Sequence, residues 1–345
     1  MKICIVTLYK TINSGSYLQA YALKKHLESL GNEVYMLKID YALKNRIKKI
    51  INYPKVLIND GINEFKLHCE TNKRFNKMQK ELDLISYNDA INKIDVFIFG
   101  SDTIWNIDSS NILKLRDTVF GMKFKNKKKI SYAASFANSK LEKINVYSDI
   151  INGLDDFYKI SVRDEYSFEI IKKISKNKPI LVCDPTILLD KDNYDILISK
   201  KESNKYIFTY LFENLSESQI NQIKLFAKNK NLKIISGTKK FNWCDKRISN
   251  SPDSFLSYVS GAEYVITDTF HGTIFSTIFN KNYVVINRDK KKVNDFLNRC
   301  DLTNRLVTDD DVVKKFNNEI DYKRINNVLS EYRKKSINFI DDALK

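Results

Sequence analysis

The first forty residues join a short apolar run, a polar loop and a segment whose apolar residues recur every three to four positions. The apolar run covers residues 2–8 (KICIVTL), and the loop is TINSGS. The recurring apolar positions are Leu18, Ala22, Leu23, Leu27 and Leu30. Their spacing predicts a helix that Gly31 ends, and the run at 33–39 predicts a second strand. The chain therefore begins with a β-α-β unit, which requires a parallel sheet.

The same alternation continues along most of the chain. Further strand patterns lie at residues 94–100, 129–136, 159–164, 179–184, 205–212, 232–237, 263–268 and 282–286. Segments with helical spacing separate them, and helical spacing continues to the end of the chain. Alternating strands and helices predict an α/β fold built on parallel sheets.

A change in composition divides the chain near its middle, where residues 186–204 are polar and charged. At roughly 100–200 residues per domain, a chain of 345 residues accommodates two domains. We therefore expect two Rossmann-like, doubly wound domains in tandem, 1–190 and 191–345, with a basic helical excursion at 41–93. This arrangement places a ligand cleft between the domains, at the carboxyl ends of their strands.

Composition and cysteine usage exclude several classes of protein. Hydrophobic residues make up 43% and charged residues 29% of the chain, which excludes disordered and fibrous sequences. The five cysteines form no Cys-x-x-Cys pair, so neither a zinc ribbon nor a disulfide framework is indicated. The apolar run at residues 2–8 is too short and too soon interrupted to predict a signal peptide, and no run of about 18 apolar residues occurs. We therefore expect a soluble, cytoplasmic protein.

The formal charge of +16 has two explanations. Lysines cluster at 44–55, 123–129 and 290–292. Because Lys, Asn and Ile are abundant together, an AT-rich genome accounts for many of these lysines as solvated surface. The alternative is attraction to an anionic substrate, a nucleic acid or an anionic membrane. We expect no nucleic-acid partner, and we treat peripheral association with the inner face of a membrane as a hypothesis.

One segment combines a titratable side chain with the start of a helix. The sequence DTFHGT (268–273) ends one strand pattern and opens a helical one. Thr269, Gly272 and Thr273 then lie at a helix N-terminus, where free N–H groups and the helix dipole bind anions. His271 adds a proton donor beside this anion site. The alternative is a histidine that only satisfies hydrogen bonds in a tight turn.

The loop after the first strand suits a phosphate or a sugar. It contains Asn13, Gly15 and Ser16, and Gln19 follows one turn into the helix. Such a loop can bind phosphate or hydroxyl groups through backbone N–H groups. It lacks both the G-x-G-x-x-G and the Walker spacing, so it does not by itself indicate a nucleotide.

Two further strand ends carry polar side chains. Asp102 is followed by Trp105 and Asn106, and a carboxylate beside a flat aromatic face is typical of a sugar-binding cleft. The alternative for Asp102 is the N-cap of a short helix. Arg163 follows another strand, where it either clamps a carboxylate or phosphate or pairs with a structural aspartate.

The remaining candidates are interpreted as structural. His26 and His68 lie in lysine-rich helical patterns without a glycine turn, so we expect both on the surface. The segment CDPT, which contains Asp184, is interpreted as a turn at a strand end and is left out of the site. No group of His, Asp or Glu has metal-ligand spacing, so we expect no metal and no cofactor.

Six motifs, taken in order, resemble the polysaccharide pyruvyl transferase family. They are NSGSYLQAYAL (13–23), GSDTIWN (100–106), SYAASF (131–136), SVR (161–163), DPT (184–186) and DTFHGT (268–273). The resemblance extends over nearly the whole chain. It implies a fold like that of the GT-B glycosyltransferases, with the C-terminal helix returning to the first domain.

The resemblance also implies a reaction. In this family, phosphoenolpyruvate donates its pyruvyl carbons to two hydroxyls of one sugar in a cell-surface or exopolysaccharide glycan, leaving a cyclic ketal and phosphate. By motif, His271 resembles the family's active-site histidine and Arg163 its anion-binding arginine. Protonating the methylene carbon needs a general acid, a role we assign to His271, and we place Asp102 near the acceptor as a candidate base. The residues expected to contact the acceptor are Asn13, Gly15, Ser16, Gln19, Trp105 and Asn106.

One position departs from the family pattern. Some members carry an arginine where this chain has Thr269, so a second cation must come from elsewhere, and Arg288 and Lys292 are the candidates. We expect phosphoenolpyruvate and a sugar polymer or lipid-linked glycan as substrates. The alternatives are a GT-B glycosyltransferase with a nucleotide-sugar donor and a non-enzymatic protein that binds anionic surfaces through its lysines.

Overall fold

The computed structural model describes residues 1–39, 61–198, 202, 204–286, 290–307 and 311–345. The first half contains β1 (Lys2–Val6), α1 (Ser14–Ser29), β2 (Glu33–Leu37), α2 (Ile62–Lys80), β3 (Leu84–Ile85), α3 (Tyr87–Lys93), β4 (Val96–Phe99), α4 (Ser110–Lys114), α5 (Arg116–Val119), β5 (Lys128–Ala134), α6 (Leu141–Ile144), α7 (Ser148–Asp155), β6 (Lys159–Val162), α8 (Glu165–Ile174) and β7 (Ile180–Leu181).

A 3₁₀ turn (Pro185–Ile187) and α9 (Lys191–Asp195) lead into the second half. The second half contains β8 (Tyr206–Tyr210), α10 (Glu217–Asn229), β9 (Lys233–Ser236), β10 (Lys246–Arg247), α11 (Pro252–Gly261), β11 (Tyr264–Thr267), α12 (Phe270–Ile278), β12 (Asn282–Ile286), α13 (Lys291–Arg299), a 3₁₀ turn (Thr303–Arg305), β13 (Leu306–Val307), α14 (Val312–Phe316) and α15 (Tyr322–Leu344).

Each half forms one parallel sheet. Within the described residues, the first sheet has seven strands in the order β3-β2-β1-β4-β5-β6-β7, and the second has six in the order β10-β9-β8-β11-β12-β13. The strand order reverses between β1 and β4 and again between β8 and β11. In open α/β sheets, ligands bind at the carboxyl ends of the strands at such a reversal. The predicted fold class of two doubly wound α/β sheets is confirmed.

Both faces of each sheet are buried, as the continuous apolar runs of the strands require. In β1, Ile3 and Ile5 pack into one apolar cluster, whereas Cys4 and Val6 pack into another on the opposite face. The first of these clusters also contains residues of the second half, such as Phe255. The two halves therefore share apolar packing.

The C-terminal helix α15 packs back onto the first half. The Tyr332 hydroxyl donates to the carbonyl oxygen of Val182 at 2.8 Å. The amide of Cys183 donates to the hydroxyl of Ser336, also at 2.8 Å. The last helix of the chain thus satisfies backbone groups just beyond β7.

Helix α2 joins the two halves on another side, within the region expected to be an excursion. Its Arg74 pairs with Asp253 of α11 at 2.6 Å, and Thr71 shares a hydrogen bond of 3.0 Å with Ser249. Glu64 pairs with Arg247. The part of the excursion from 41 to 60 lies outside the described residues.

The expectation that His26 lies on the surface is wrong. The side chain is buried, and burial lowers its pKa below the ordinary value, against the raising effect of Asp341 on α15. The cause is tertiary, because α1 is buried on nearly all sides between the first sheet and its neighbours. His68 is half-buried on α2.

None of the helices in the described ranges is long and apolar enough to cross a lipid bilayer.

Replacing Ser336 by alanine should destabilise the protein. The buried amide of Cys183 then loses its acceptor, which costs about 1–3 kcal/mol in free energy of unfolding. Urea unfolding measures the loss. Lys335→Ala, an exposed change on the same helix, is the control and should stay within about 0.5 kcal/mol of the parent. Equal stability of the two variants would contradict the assigned role of Ser336.

Candidate active site

The site lies where the carboxyl ends of the strands of both sheets meet. The first half supplies the start of α1 and the loops after β4, β6 and β7, and the second half supplies the start of α12 and α13. Of the predicted residues, the structure brings together those that surround one buried ion pair, namely Gly15, Ser16, Asp102, Arg163, His271 and Lys292.

The centre of the site is an ion pair between Arg163, after β6, and Asp184, after β7. Nη1 of Arg163 lies 2.6 Å from Oδ2 of Asp184, and each side chain is only 1% exposed. The other carboxylate oxygen, Oδ1, accepts hydrogen bonds from the amide and hydroxyl of Thr186 at 3.1 and 2.7 Å. Burial alone would raise the pKa of Asp184, but His271 and Arg163 hold it well below its ordinary range.

Arg163 reaches further polar groups from this pair. Its Nη1 donates to the hydroxyl of Ser101 at 3.3 Å, and its Nη2 lies 3.4 Å from Oδ1 of Asp102. Nε is buried and has no hydrogen-bond acceptor within the described residues. The guanidinium also lies 5.1 Å from the ring centroid of Phe270. Arg163 is therefore held by carboxylates of its own half, with one donor unused.

Asp102 is held in a left-handed backbone conformation, with φ of 66°. Its carboxylate accepts from the Ser16 hydroxyl at 2.6 Å and from the amide of Thr103 at 2.8 Å. Burial raises its pKa, yet Arg163 and the Ser16 hydrogen bond lower it below the ordinary value overall. A carboxylate with a lowered pKa is a poor proton acceptor. Asp102 is thus better placed to orient Ser16 and Arg163 than to act as a general base.

His271 comes from the second half but lies against the first. Its Nε2 is buried without a hydrogen-bond partner in the described part of the chain, 3.8 Å from Oδ1 of Asp184. On the other side, a Cβ added to Gly15 would lie 2.1 Å from Nδ1. Only a glycine at position 15 leaves room for the imidazole. The ring is therefore held between the start of α1 and Asp184, with 12% of the side chain exposed.

The start of α12 differs in detail from the predicted anion site. The hydroxyl of Thr269 accepts the amide of Gly272 at 2.9 Å, and the amide of Thr273 donates to the Thr269 carbonyl at 3.1 Å. The prediction that the Gly272 and Thr273 amides bind the donor is therefore corrected, because the helix cap uses them. In this geometry the first-turn amides without intrahelical acceptors are those of Phe270 and His271.

Lys292 on α13 is the second cation of the site. Its Nζ lies 5.6 Å from the ring centroid of Phe270, which Arg163 also contacts. Burial and the charge of Arg163 lower the pKa of Lys292, whereas Asp102 and other nearby carboxylates raise it. A small pocket in front of Lys292 is also lined by Arg163 and Asp184. The other candidate cation, Arg288, lies outside the described residues.

Asn13 and Gln19, which were predicted to contact the acceptor, form hydrogen bonds that hold the start of α1. Asn13 is exposed, and its side chain caps the helix by accepting the amide of Gly15 at 2.9 Å. Gln19 is buried; its Nε2 donates to the Thr7 hydroxyl at 3.1 Å, and its Oε1 accepts the Ser101 amide at 3.3 Å. Gln19 therefore joins the loops after β1 and β4.

Trp105 does not line the cleft as predicted. Trp105 is fully buried, stacks on Phe120 at a centroid distance of 6.0 Å and donates to the Val119 carbonyl at 3.1 Å. Its ring is needed to fill the core, so the prediction of a sugar platform here is corrected. The carbonyl oxygen of the Asn106 side chain accepts from the hydroxyl of Ser139 at 3.0 Å.

Asp184 was predicted to lie in a turn outside the site, but it is the partner of Arg163 and faces His271. A signal was present, because Asp184 follows a strand at the same sheet edge as Arg163. Pairing across neighbouring strands could therefore have suggested it. Within the described residues, no group of three or more His, Cys, Asp or Glu could hold a metal ion.

The solved structures that this fold resembles include several UDP-N-acetylglucosamine 2-epimerases. A putative enzyme of this kind from Listeria monocytogenes is 10% identical over 100% of this chain and 95% of its own, with a TM-score of 0.56. The enzyme from Neisseria meningitidis, solved bound to UDP-GlcNAc, is 11% identical over 100% and 99%, with a TM-score of 0.54. The fold is thus that of the GT-B class, with its cleft between two Rossmann-like halves.

Within that class the family is defined by sequence. The family model for polysaccharide pyruvyl transferase matches residues 13–290, and the chain belongs to this family. No curated protein matches the chain.

Replacing Gly15 by alanine should displace the imidazole of His271 while leaving α1 folded. The added Cβ would overlap Nδ1, and alanine favours a helix more than glycine does. The chain has three histidines, so ring ¹H–¹⁵N spectra resolve each one. We expect the His271 signals to shift, whereas Lys25→Ala on the exposed face of α1 leaves them in place. Unmoved His271 signals in the Gly15 variant would contradict this contact.

Replacing Asp184 by asparagine should remove both stability and part of its pH dependence. Breaking the buried pair leaves the charge of Arg163 unpartnered and costs about 3–5 kcal/mol at neutral pH. Because the pKa of Asp184 is lowered by folding, its stabilisation is complete above the unfolded carboxyl value of about 3.9 and is lost as pH falls further. The variant should therefore lose less stability on acidification.

Urea unfolding at neutral pH and at about pH 3 measures both effects. The matched control is Asp149→Asn, which breaks a half-exposed pair with Arg116 and should cost about 0–1 kcal/mol. An Asp184 variant as stable as this control would show that the buried pair does not hold the site together.

Proposed function

We propose that this protein transfers pyruvate from phosphoenolpyruvate to two hydroxyls of one sugar, forming a cyclic ketal and releasing phosphate. Membership of the polysaccharide pyruvyl transferase family supports the class of reaction. The observation that carries the proposal is the position of His271 beside two cations, Arg163 and Lys292, in the cleft between the halves.

The reaction needs one proton on carbon and one leaving group. His271 protonates the methylene carbon of phosphoenolpyruvate, which creates a methyl group and an oxocarbenium-like centre. One sugar hydroxyl adds to this carbon, the second displaces phosphate, and the two hydroxyl protons restore the imidazole and neutralise the phosphate. The protein must therefore hold an anionic donor next to an acid.

The charges of the site favour this pairing of donor and acid. Three carboxylates, Asp102, Asp164 and Asp184, act on the two cations Lys292 and Arg163 and hold them at the site. The imidazole of His271 lies beside this cluster of charges, where a general acid for the bound donor has to be.

Donor contacts follow from the groups that the fold leaves unused. Lys292 and the first-turn amides of Phe270 and His271 bind the phosphate and carboxylate, at the positive end of the α12 dipole. Arg163 acts mainly as a buried positive charge, because its Nη1 already binds Asp184 and Ser101 and its Nη2 lies 3.4 Å from Asp102. Of the two roles that the sequence left open for Arg163, an anion clamp or a partner for an aspartate, this assigns it the second.

The acceptor is a sugar of a polymer or a lipid-linked glycan, and the reaction takes place in the cytoplasm. The five free thiols suit a reducing compartment.

Calorimetric titration with phosphoenolpyruvate tests the donor. Wild-type protein should show saturable binding, and Lys292→Ala should weaken it about 10- to 100-fold, since a charge-assisted contact is worth about 1.5–3 kcal/mol. His271→Ala should weaken it as well, because the variant removes a side chain that lies beside the proposed donor site. Arg163→Ala should also weaken binding, with circular dichroism to confirm folding.

The matched control is Lys291→Ala, which removes the same charge from the exposed neighbour of Lys292. It should leave the dissociation constant within about twofold of the parent, a difference of about 0.4 kcal/mol. Binding of a nucleotide sugar, with phosphoenolpyruvate giving no heat, would overturn the proposed donor.

A further inference from the structure

An exposed aromatic ring lies at the reversal of strand order in the second sheet. Phe212 follows β8 by two residues, and β8 and β11 are the strands between which the order reverses. The side chain is 49% exposed. Single exposed apolar residues are common on protein surfaces, so exposure alone indicates nothing. Phe212 is distinguished by the hydrogen bonds that hold its backbone to Asp268, close to His271 in the chain.

The backbone of Phe212 is fixed by the loop that carries His271. Both carboxylate oxygens of Asp268 accept the Phe212 amide, at 3.1 and 3.0 Å, and one of them also accepts the Glu213 amide at 2.9 Å. Asp268 precedes His271 by three residues. The position of Phe212 is therefore coupled directly to the start of α12.

The ring of Phe212 is also linked to the first half of the protein. It meets the ring of Tyr210 edge to face, with centroids 5.7 Å apart. The Tyr210 hydroxyl donates to Oδ1 of Asn250 at 3.1 Å, and the Ser14 hydroxyl donates to the carbonyl of Asn250 at 3.0 Å. Ser14 adjoins Gly15, which contacts His271. Phe212 is therefore connected to the start of α1 in two ways, through the segment that carries His271 and through Tyr210 and Asn250.

We propose that Phe212 is the surface on which a pyranose ring of the acceptor stacks, an inference that rests on the proposed function for the acceptor being a sugar. A pyranose has one face of C–H groups, which gains from covering an apolar aromatic face. The donor is anionic and offers no such face. Trp105, the other candidate platform, is buried in the core. Phe212 therefore determines acceptor binding and leaves donor binding unchanged.

Saturation-transfer difference NMR tests this directly, with the methyl pyranosides of galactose, glucose, mannose and N-acetylglucosamine as probes. We expect at least one probe to receive saturation on the ring protons of one face in the presence of the wild-type protein. Phe212→Ala should lose that signal, and Phe212→Tyr should keep it because the ring remains. Tyr158→Ala is the matched control, since Tyr158 is 53% exposed but precedes β6, at the opposite sheet edge.

Each outcome separates the two proposals. An undiminished sugar signal in Phe212→Ala, or no signal from any probe with the wild type, overturns the platform. Loss of phosphoenolpyruvate binding in Phe212→Ala also overturns it, because the ring would then support the donor site. If the wild-type protein binds no phosphoenolpyruvate but shows a Phe212-dependent sugar signal, the proposed donor fails and the platform stands.

Discussion

The buried pair of Arg163 and Asp184 is the interaction on which the rest of the site depends. Removing both charges from water costs free energy, which is offset only if the charges are in close contact and their remaining polar atoms are hydrogen-bonded. In this site Thr186, Ser101 and Asp102, on neighbouring loops, provide those additional contacts. The pair thereby fixes the spacing of the ends of β4, β6 and β7 in the first sheet. His271 lies against this group, with its Nε2 3.8 Å from Oδ1 of Asp184.

The order of strands and helices was predictable because it depends on local periodicity. The strand ends that carry Asp102, Arg163 and His271 could be located for the same reason, since a polar residue directly after an apolar run marks the sheet edge. Their meeting follows from the parallel topology, which brings carboxyl ends together. Local periodicity and parallel topology together are therefore enough to bring these three residues to one cleft.

Other features depend on contacts that no local pattern records. An aromatic residue next to an aspartate has the same appearance in a core as in a cleft, and Trp105 belongs to the core because phenylalanines surround it. His26 is buried because α1 packs against the 3₁₀ turn Pro185–Ile187 and against α11, both of which are far away in the chain. The amide of Gly272 is used because Thr269 caps its helix. In each case packing or capping decided the outcome.

The return of α15 to the first half affects how the family can be recombined. Exchanging the second halves of two relatives at the junction near residue 190 would also exchange the helix that covers Val182 and Cys183. In the hybrid, the first sheet of one relative would then pack against the C-terminal helix of the other. A chimera that preserves this contact must keep residues 322–344 with the first half, so the exchangeable unit is an internal segment bounded by two junctions.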